Sequence, residues 1–145
     1  MLIREIMSTN LITIAPSTPL ATALSLMREH NVRRLPVVED GRLVGILTDR
    51  DVRSLTPSYR SWTSTWEAET RFRTAPASEV MSRPVITVSP ETRVEDAASL
   101  IVRQKIGGLP VVENGRLVGI VTDSDLLRLL IRLAASPLLI TEKAD

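Results

Sequence analysis

Short apolar runs alternate along the chain with segments in which apolar residues recur every three or four positions, and the whole pattern occurs twice. LITI (residues 11–14) ends at Ala15-Pro16 and VITV (85–88) ends at Ser89-Pro90, as strands stopped by proline would. Next, Leu20, Ala23, Leu24 and Met27 match Val94, Ala97, Ala98 and Ile101 at i, i+3, i+4, i+7 spacing, which predicts a helix with one apolar face in each copy. Thr92-x-x-Glu95 reads as a capping box for the second of these helices; in the first, Thr18 precedes Pro19, a favoured first helical residue. LPVVE follows at 35–39 and 109–113, then Asp40-Gly41 or Asn114-Gly115, then RLVGI, a strong hairpin signal. A further helix is predicted to begin at TDRD (48–51) and TDSD (122–125). The expected unit is strand–helix–strand–strand–helix, an α/β (α+β) fold whose first crossover should be right-handed.

A shift of 74 residues aligns 5–52 with 79–126 without a gap, and 24 of those 48 positions are identical. The expected organisation is a first repeat over 1–55, a linker over 56–76, a second repeat over 77–135 and a tail over 136–145. Three short strands and two helices sit near the lower limit for independent folding. The two copies should therefore cover each other about a pseudo-twofold axis, with clefts between them.

Composition narrows the function. The absence of cysteine excludes disulfides and cysteine-based chemistry, and the single histidine, His30, argues against a histidine-rich metal site. His30 falls at a helix end, where it reads as a cap or a solvated side chain. Eighteen basic residues against seventeen acidic give no net field for nucleic acid or anionic membrane. MLIREIMSTN lacks the apolar run of a signal peptide, and the apolar region near 126–140 is interrupted by Arg128, Arg132 and Pro137. The expectation is a soluble cytoplasmic protein.

The β-α-β-β-α unit, LPVV, the Asp/Asn-Gly turn and the ending Gly-h-h-Thr-x-x-Asp (h, apolar) together resemble a tandem pair of CBS domains, named after cystathionine β-synthase and also called a Bateman module. The resemblance spans both repeats. It implies a non-catalytic regulatory protein that binds an adenosine-containing ligand (AMP, ADP, ATP or S-adenosylmethionine) in the cleft between repeats. It also implies a dimer of modules. The ligand would be regulatory, with no catalytic cofactor.

Two readings of Thr-x-x-Asp stand side by side. Thr48 and Thr122 occupy N-cap positions with Asp51 and Asp125 at N3, a capping arrangement that contributes on the order of 1 kcal/mol with no ligand present. The same helix start can face a phosphate, and a carboxylate one turn in can accept two hydrogen bonds from a ribose diol. The resemblance carries the ribose role to Asp51 and Asp125 and the phosphate or ribose role to Thr48 and Thr122. Gly45 and Gly119 also recur, and a strand glycine marks close approach of a backbone or ligand.

Before LPVV the copies differ: Arg33-Arg34 in the first, Gly107-Gly108 in the second. The resemblance places a phosphate-contacting base at Arg33, with Arg34 next in rank; the bland alternative is a solvated strand edge. Gly107 and Gly108 leave room for a flat base. Arg50, against Ser124, either faces water or is compensated by an anion. Ile12, Thr13, Ile86 and Thr87 align with the family's base pocket, although strand core explains the isoleucines equally well. The two sites should therefore be inequivalent, one a well-formed phosphate-contacting site and the other weaker or empty, with either Asp51 or Asp125 as the partner of Arg33.

Residues 54–78 hold all four aromatics, Tyr59, Trp62, Trp66 and Phe72. A short helix over 61–72 is expected, its aromatics packed on the protein's own surface or anchoring an effector protein. DLLRLLIRLAA (125–135) is apolar on most sides, which predicts a homodimer. The competing function is a ligand-independent dimeric scaffold. An enzyme is disfavoured, since the sequence carries no nucleophile elbow or P-loop.

Overall fold

A computed structural model describes residues 1–55 and 65–135, with Thr65 as backbone only. Among them are five α-helices and four strands: α1 (Leu20–His30), β1 (Arg34–Glu39), β2 (Arg42–Thr48), α2 (Asp49–Arg53), α3 (Thr65–Thr74), α4 (Val94–Gln104), β3 (Gly108–Glu113), β4 (Arg116–Thr122) and α5 (Asp123–Ala134). The mixed helix and antiparallel-sheet architecture is the one expected. No helix among the described residues is long and apolar enough to cross a membrane.

The chain divides into two compact units. The first holds residues 12–85 with 115–117, and the second holds 1–11, 86–114 and those from 118 on. The leading segment of each repeat thus packs in the unit that holds the body of the other repeat.

In the first unit, Leu20, Ala23 and Met27 of α1 meet Leu35 and Val37 of β1, Leu47 of β2 and Val52 of α2 in a buried cluster. Ala77 and Met81, from the second repeat's leading segment, complete it. β1 and β2 pair antiparallel, with Leu35 opposite Leu47 and Val37 opposite Gly45, and a bulge between Val37 and Val38. Asp40 and Gly41 both have positive φ (52° and 78°), as a two-residue hairpin turn of type I′ demands. Across the turn end, Arg42 pairs with Arg116.

The second unit repeats this scheme. Val94, Ala97 and Ile101 of α4 join Leu109, Val111, Val121 and Leu129, with Ile3 of the N-terminal segment fully buried among them. β3 and β4 are neighbours, and Asn114 and Gly115 again have positive φ.

Three local expectations need correction. LITI and VITV form single parallel bridges, Ile14 with Val37 and Val88 with Val111, in place of strands. Ile14 N–H donates to the Pro36 carbonyl and Val38 N–H to the Ile14 carbonyl, with the same pattern from Val88 to Pro110 and from Val112 to Val88. Extending either ladder would need an N–H from Pro36 or Pro16, or from Pro110 or Pro90, and proline has none. Thr92 does not cap α4. Its hydroxyl accepts from Ser89 N–H, as that of Thr18 accepts from Ala15 N–H, so both threonines close the preceding turn. The caps are Pro19 and Arg93, and the first helical N–H groups are satisfied by distant carbonyls, Leu20 to Ala75 and Val94 to Met1. Finally, the linker helix ends at 74 rather than 72; its described part begins at 65, and residues 61–64, where the start was expected, lie outside those described.

Candidate functional site

The hairpin in each unit delivers a polar helix start to the end of its second strand. In the first unit Thr48 caps α2: Asp51 N–H donates to Thr48 Oγ1 at 3.1 Å, and Thr48 N–H donates back to Asp51 Oδ2 at 2.9 Å. In the second, Thr122 and Asp125 repeat the exchange at 3.3 and 2.8 Å. The capping reading of Thr-x-x-Asp is therefore realised at both places. A second feature fixes each helix start. Asp49 N–H donates to the Arg33 carbonyl and Asp123 N–H to the Gly107 carbonyl, each at 2.9 Å. This backbone bond ties the pre-LPVV segment to the helix and is indifferent to the side chain, which leaves residues 33 and 107 free to differ.

Arg33, Arg34, Thr48, Arg50 and Asp51 thus lie in one unit with Ile12 and Thr13, while Gly107, Gly108, Thr122 and Asp125 lie in the other with Ile86 and Thr87. Arg33 shares its unit with Asp51. Thr48, Asp51, Thr122 and Asp125 are half-buried; Arg33, Arg50 and Thr13 are exposed, and Arg34 is half-buried. Gly108 is buried and Gly107 half-buried. Ile12 packs against the first core, whereas Ile86 is 37% exposed, so the core reading fits one isoleucine and not its counterpart.

Of the two readings of the strand glycines, close approach of the protein itself is the one realised. A Cβ at Gly45 would lie 2.5 Å from Met81 Sδ, and one at Gly119 would lie 2.6 Å from Met7 Sδ and 3.1 Å from the Ser8 carbonyl oxygen. Beside them, Ser82 bridges Ile46 and Ser8 bridges Ile120, each through two backbone hydrogen bonds. The glycines admit these methionines, so their recurrence is no argument for a ligand. The signal was present in the sequence, because Met7-Ser8 and Met81-Ser82 recur in register.

Around the carboxylates the units part. The Ser82 hydroxyl lies 3.5 Å from both Asp51 oxygens, while Arg128 Nη1 donates to Asp125 Oδ1 at 3.1 Å. Asp49 pairs with Arg53 at 3.6 Å, but position 127, the counterpart of 53, is leucine, and the Asp123 carboxylate instead accepts from Ser124 N–H. Asp125, Arg128 and Arg132 line a hollow of about 440 Å³ together with Ile6 and Ile131. Among the described residues, no group of three or more His, Cys, Asp or Glu could hold a metal ion.

Of the linker aromatics, Phe72 packs against the first core and Trp66 is 73% exposed. Tyr59 and Trp62 lie outside the described residues. His30 is exposed in the last turn of α1.

Two β-hairpins, each feeding a helix through a threonine–carboxylate cap, define a protein of paired α+β repeats with one polar helix start per repeat. The chain belongs to the CBS-domain family, whose profile matches residues 3–57 and 77–132. It is 39% identical over 124 residues to the CBS domain-containing protein YhcV of Bacillus subtilis, covering 86% of this chain and 81% of that protein. The CBS domain pair of protein MJ0100, solved with 5′-methylthioadenosine and S-adenosyl-L-methionine, superposes with a TM-score of 0.74 at 31% identity, covering 90% of this chain and 95% of that one. CBSX2 in complex with AMP gives a TM-score of 0.76 at 29% identity, with coverage of 91% and 97%.

Proposed function

We propose that this chain is a non-catalytic regulatory module that binds one or two adenosine-containing ligands at its Thr-x-x-Asp segments. The observation that carries the reading is the matched geometry of the two carboxylates. In each, Oδ2 is held by the threonine N–H, so the group is aimed in advance and keeps lone pairs for ribose hydroxyls. The AMP, 5′-methylthioadenosine and S-adenosyl-L-methionine complexes of related CBS pairs support the ligand class. Asp51 and Asp125 take the ribose, and Thr48 and Thr122 take ribose or phosphate. Ile12, Thr13, Ile86 and Thr87 face the base, for which Gly107 and Gly108 leave space. Arg33, Arg34 and Arg50 supply cationic contacts beside Asp51, and a planar guanidinium suits a phosphate.

Occupancy is passed on through shape or assembly, in the cytoplasm, to an effector protein. The exposed side chains of Leu127, Leu130, Ile131 and Leu133 on α5 support a homodimer, and they are the observation that favours the alternative of a ligand-independent scaffold. A thermal-shift series with AMP, ADP, ATP and S-adenosylmethionine separates the two. At a hundredfold its Kd a true ligand adds about 2.7 kcal/mol and raises Tm by a few degrees. A flat response to all four favours the scaffold.

A further inference from the structure

The Asp125 carboxylate differs from Asp51 in a way that bears on which ligand it takes, and the inference rests on the ribose role proposed above. Three residues beyond Asp51 is Ser54, whose hydroxyl donates to the Asp51 backbone carbonyl at 2.6 Å. Three residues beyond Asp125 is Arg128, whose guanidinium donates to Asp125 Oδ1 at 3.1 Å. Because Oδ2 already accepts from Thr122 N–H, both oxygens of Asp125 are engaged. Asp125 is only 19% exposed at its side chain, whereas Arg128 is 72% exposed. The arginine is the partner that can move.

Its surroundings suggest where it would go. The hollow of about 440 Å³ that Arg128 shares with Asp125 also takes in Arg132, one helical turn further on, against an apolar wall of Ile6 and Ile131. Small-molecule sites commonly span about 300–1,000 Å³. Here two guanidiniums flank a single carboxylate, which suits an anionic ligand.

We propose that Arg128 makes the second unit's site selective for adenosine ligands that carry a phosphate. With no ligand bound, Arg128 holds Asp125. A nucleoside phosphate offers the guanidinium a replacement partner, and Oδ1 is released to a ribose hydroxyl. A nucleoside without phosphate must break the ion pair and gains nothing in return. A sulfonium ligand such as S-adenosylmethionine carries net positive charge and offers the guanidiniums a single carboxylate in place of a phosphate.

The test is calorimetric titration of the whole chain carrying Asp51→Asn, so that binding reports the second unit, with AMP and adenosine as probes. Arg128→Ser, which installs the residue found at the matching position of the first repeat, should weaken AMP about tenfold through loss of a charge-assisted contact. The same change should tighten adenosine about two- to fivefold, because an exposed ion pair no longer has to open. Arg128→Gln, which keeps helix propensity, should do likewise, with folding checked by circular dichroism. An unchanged AMP-to-adenosine preference in both variants overturns the role of Arg128 and leaves the ribose reading standing. Binding of AMP by the parent that disappears in Asp51→Asn overturns it too, since the second unit would then hold no site. If the parent binds neither probe, the ribose reading itself fails.

Discussion

The two compact units agree in their interiors and disagree around their helix starts. Leu35 and Leu109, Val37 and Val111, and Leu47 and Val121 are all fully buried at matching positions. Positions 33/107, 50/124, 53/127 and 54/128 pair arginine, arginine, arginine and serine with glycine, serine, leucine and arginine. Close-packed interiors are sensitive to volume, so two copies of one fold keep apolar residues of similar size at matching core positions. At the helix start, the Asp49–Arg33 and Asp123–Gly107 bonds are made by backbone, and the threonine–aspartate exchange needs only two residues. The remaining side chains there are free to vary, and cationic charge sits just before β1 and on α2 in one unit and on α5 in the other.

The largest expected effect tests the shared interior. Leu35→Ala and Leu109→Ala should each cost about 3 kcal/mol in urea denaturation followed by methyl NMR of the affected unit. Costs differing by more than half would break the equivalence of the cores. Next come the strand glycines, where alanine forces an over-packed contact costing about 1–3 kcal/mol. Gly119→Ala should be the more costly of the two, since its three nearest neighbours include the Ser8 backbone oxygen, while those of Gly45 all belong to the Met81 side chain. A reversed order in urea midpoints would mean that Met7 yields more easily than Met81. Smaller again, Thr48→Ala and Thr122→Ala should each lose about 1 kcal/mol of stability as N-caps. An additional loss of AMP affinity in either variant would tie the cap to the ligand.

The smallest effect belongs to the second unit alone. The backbone hydrogen bond at Glu95, with Arg93 beside it, holds this exposed carboxyl below its ordinary value of 4.5. A carboxyl lowered in the folded state contributes stability that is present above the unfolded pKa and is lost as pH falls through the folded one. Position 21, its counterpart in the first repeat, is alanine. Glu95→Gln should therefore flatten the acid limb of the second unit's stability curve, leaving the first unit unchanged in pH-dependent methyl NMR.

Read alone, the sequence determined the features that depend on neighbours a few residues away. The helix faces of Leu20, Ala23 and Met27 and of Val94, Ala97 and Ile101 follow from spacing, and the Asp-Gly and Asn-Gly turns follow from the positive φ that a tight hairpin requires. Both threonine–aspartate caps were legible for the same reason, each closing within four residues. Only the tertiary structure decided features whose partners lie far along the chain. LITI looked like a strand until Pro36 and Pro16 were found to remove the N–H groups that its parallel ladder needs. Thr92 looked like a cap, but the first N–H of α4 is satisfied by the Met1 carbonyl, more than ninety residues away. Gly45 and Gly119 marked close approach of either a backbone or a ligand, and the choice fell to the chain itself, with Met81 and Met7 arriving from the opposite repeat's leading segment. Local hydrogen bonding and periodicity are written in adjacent residues, whereas which distant carbonyl or side chain arrives is settled only when the chain folds back on itself.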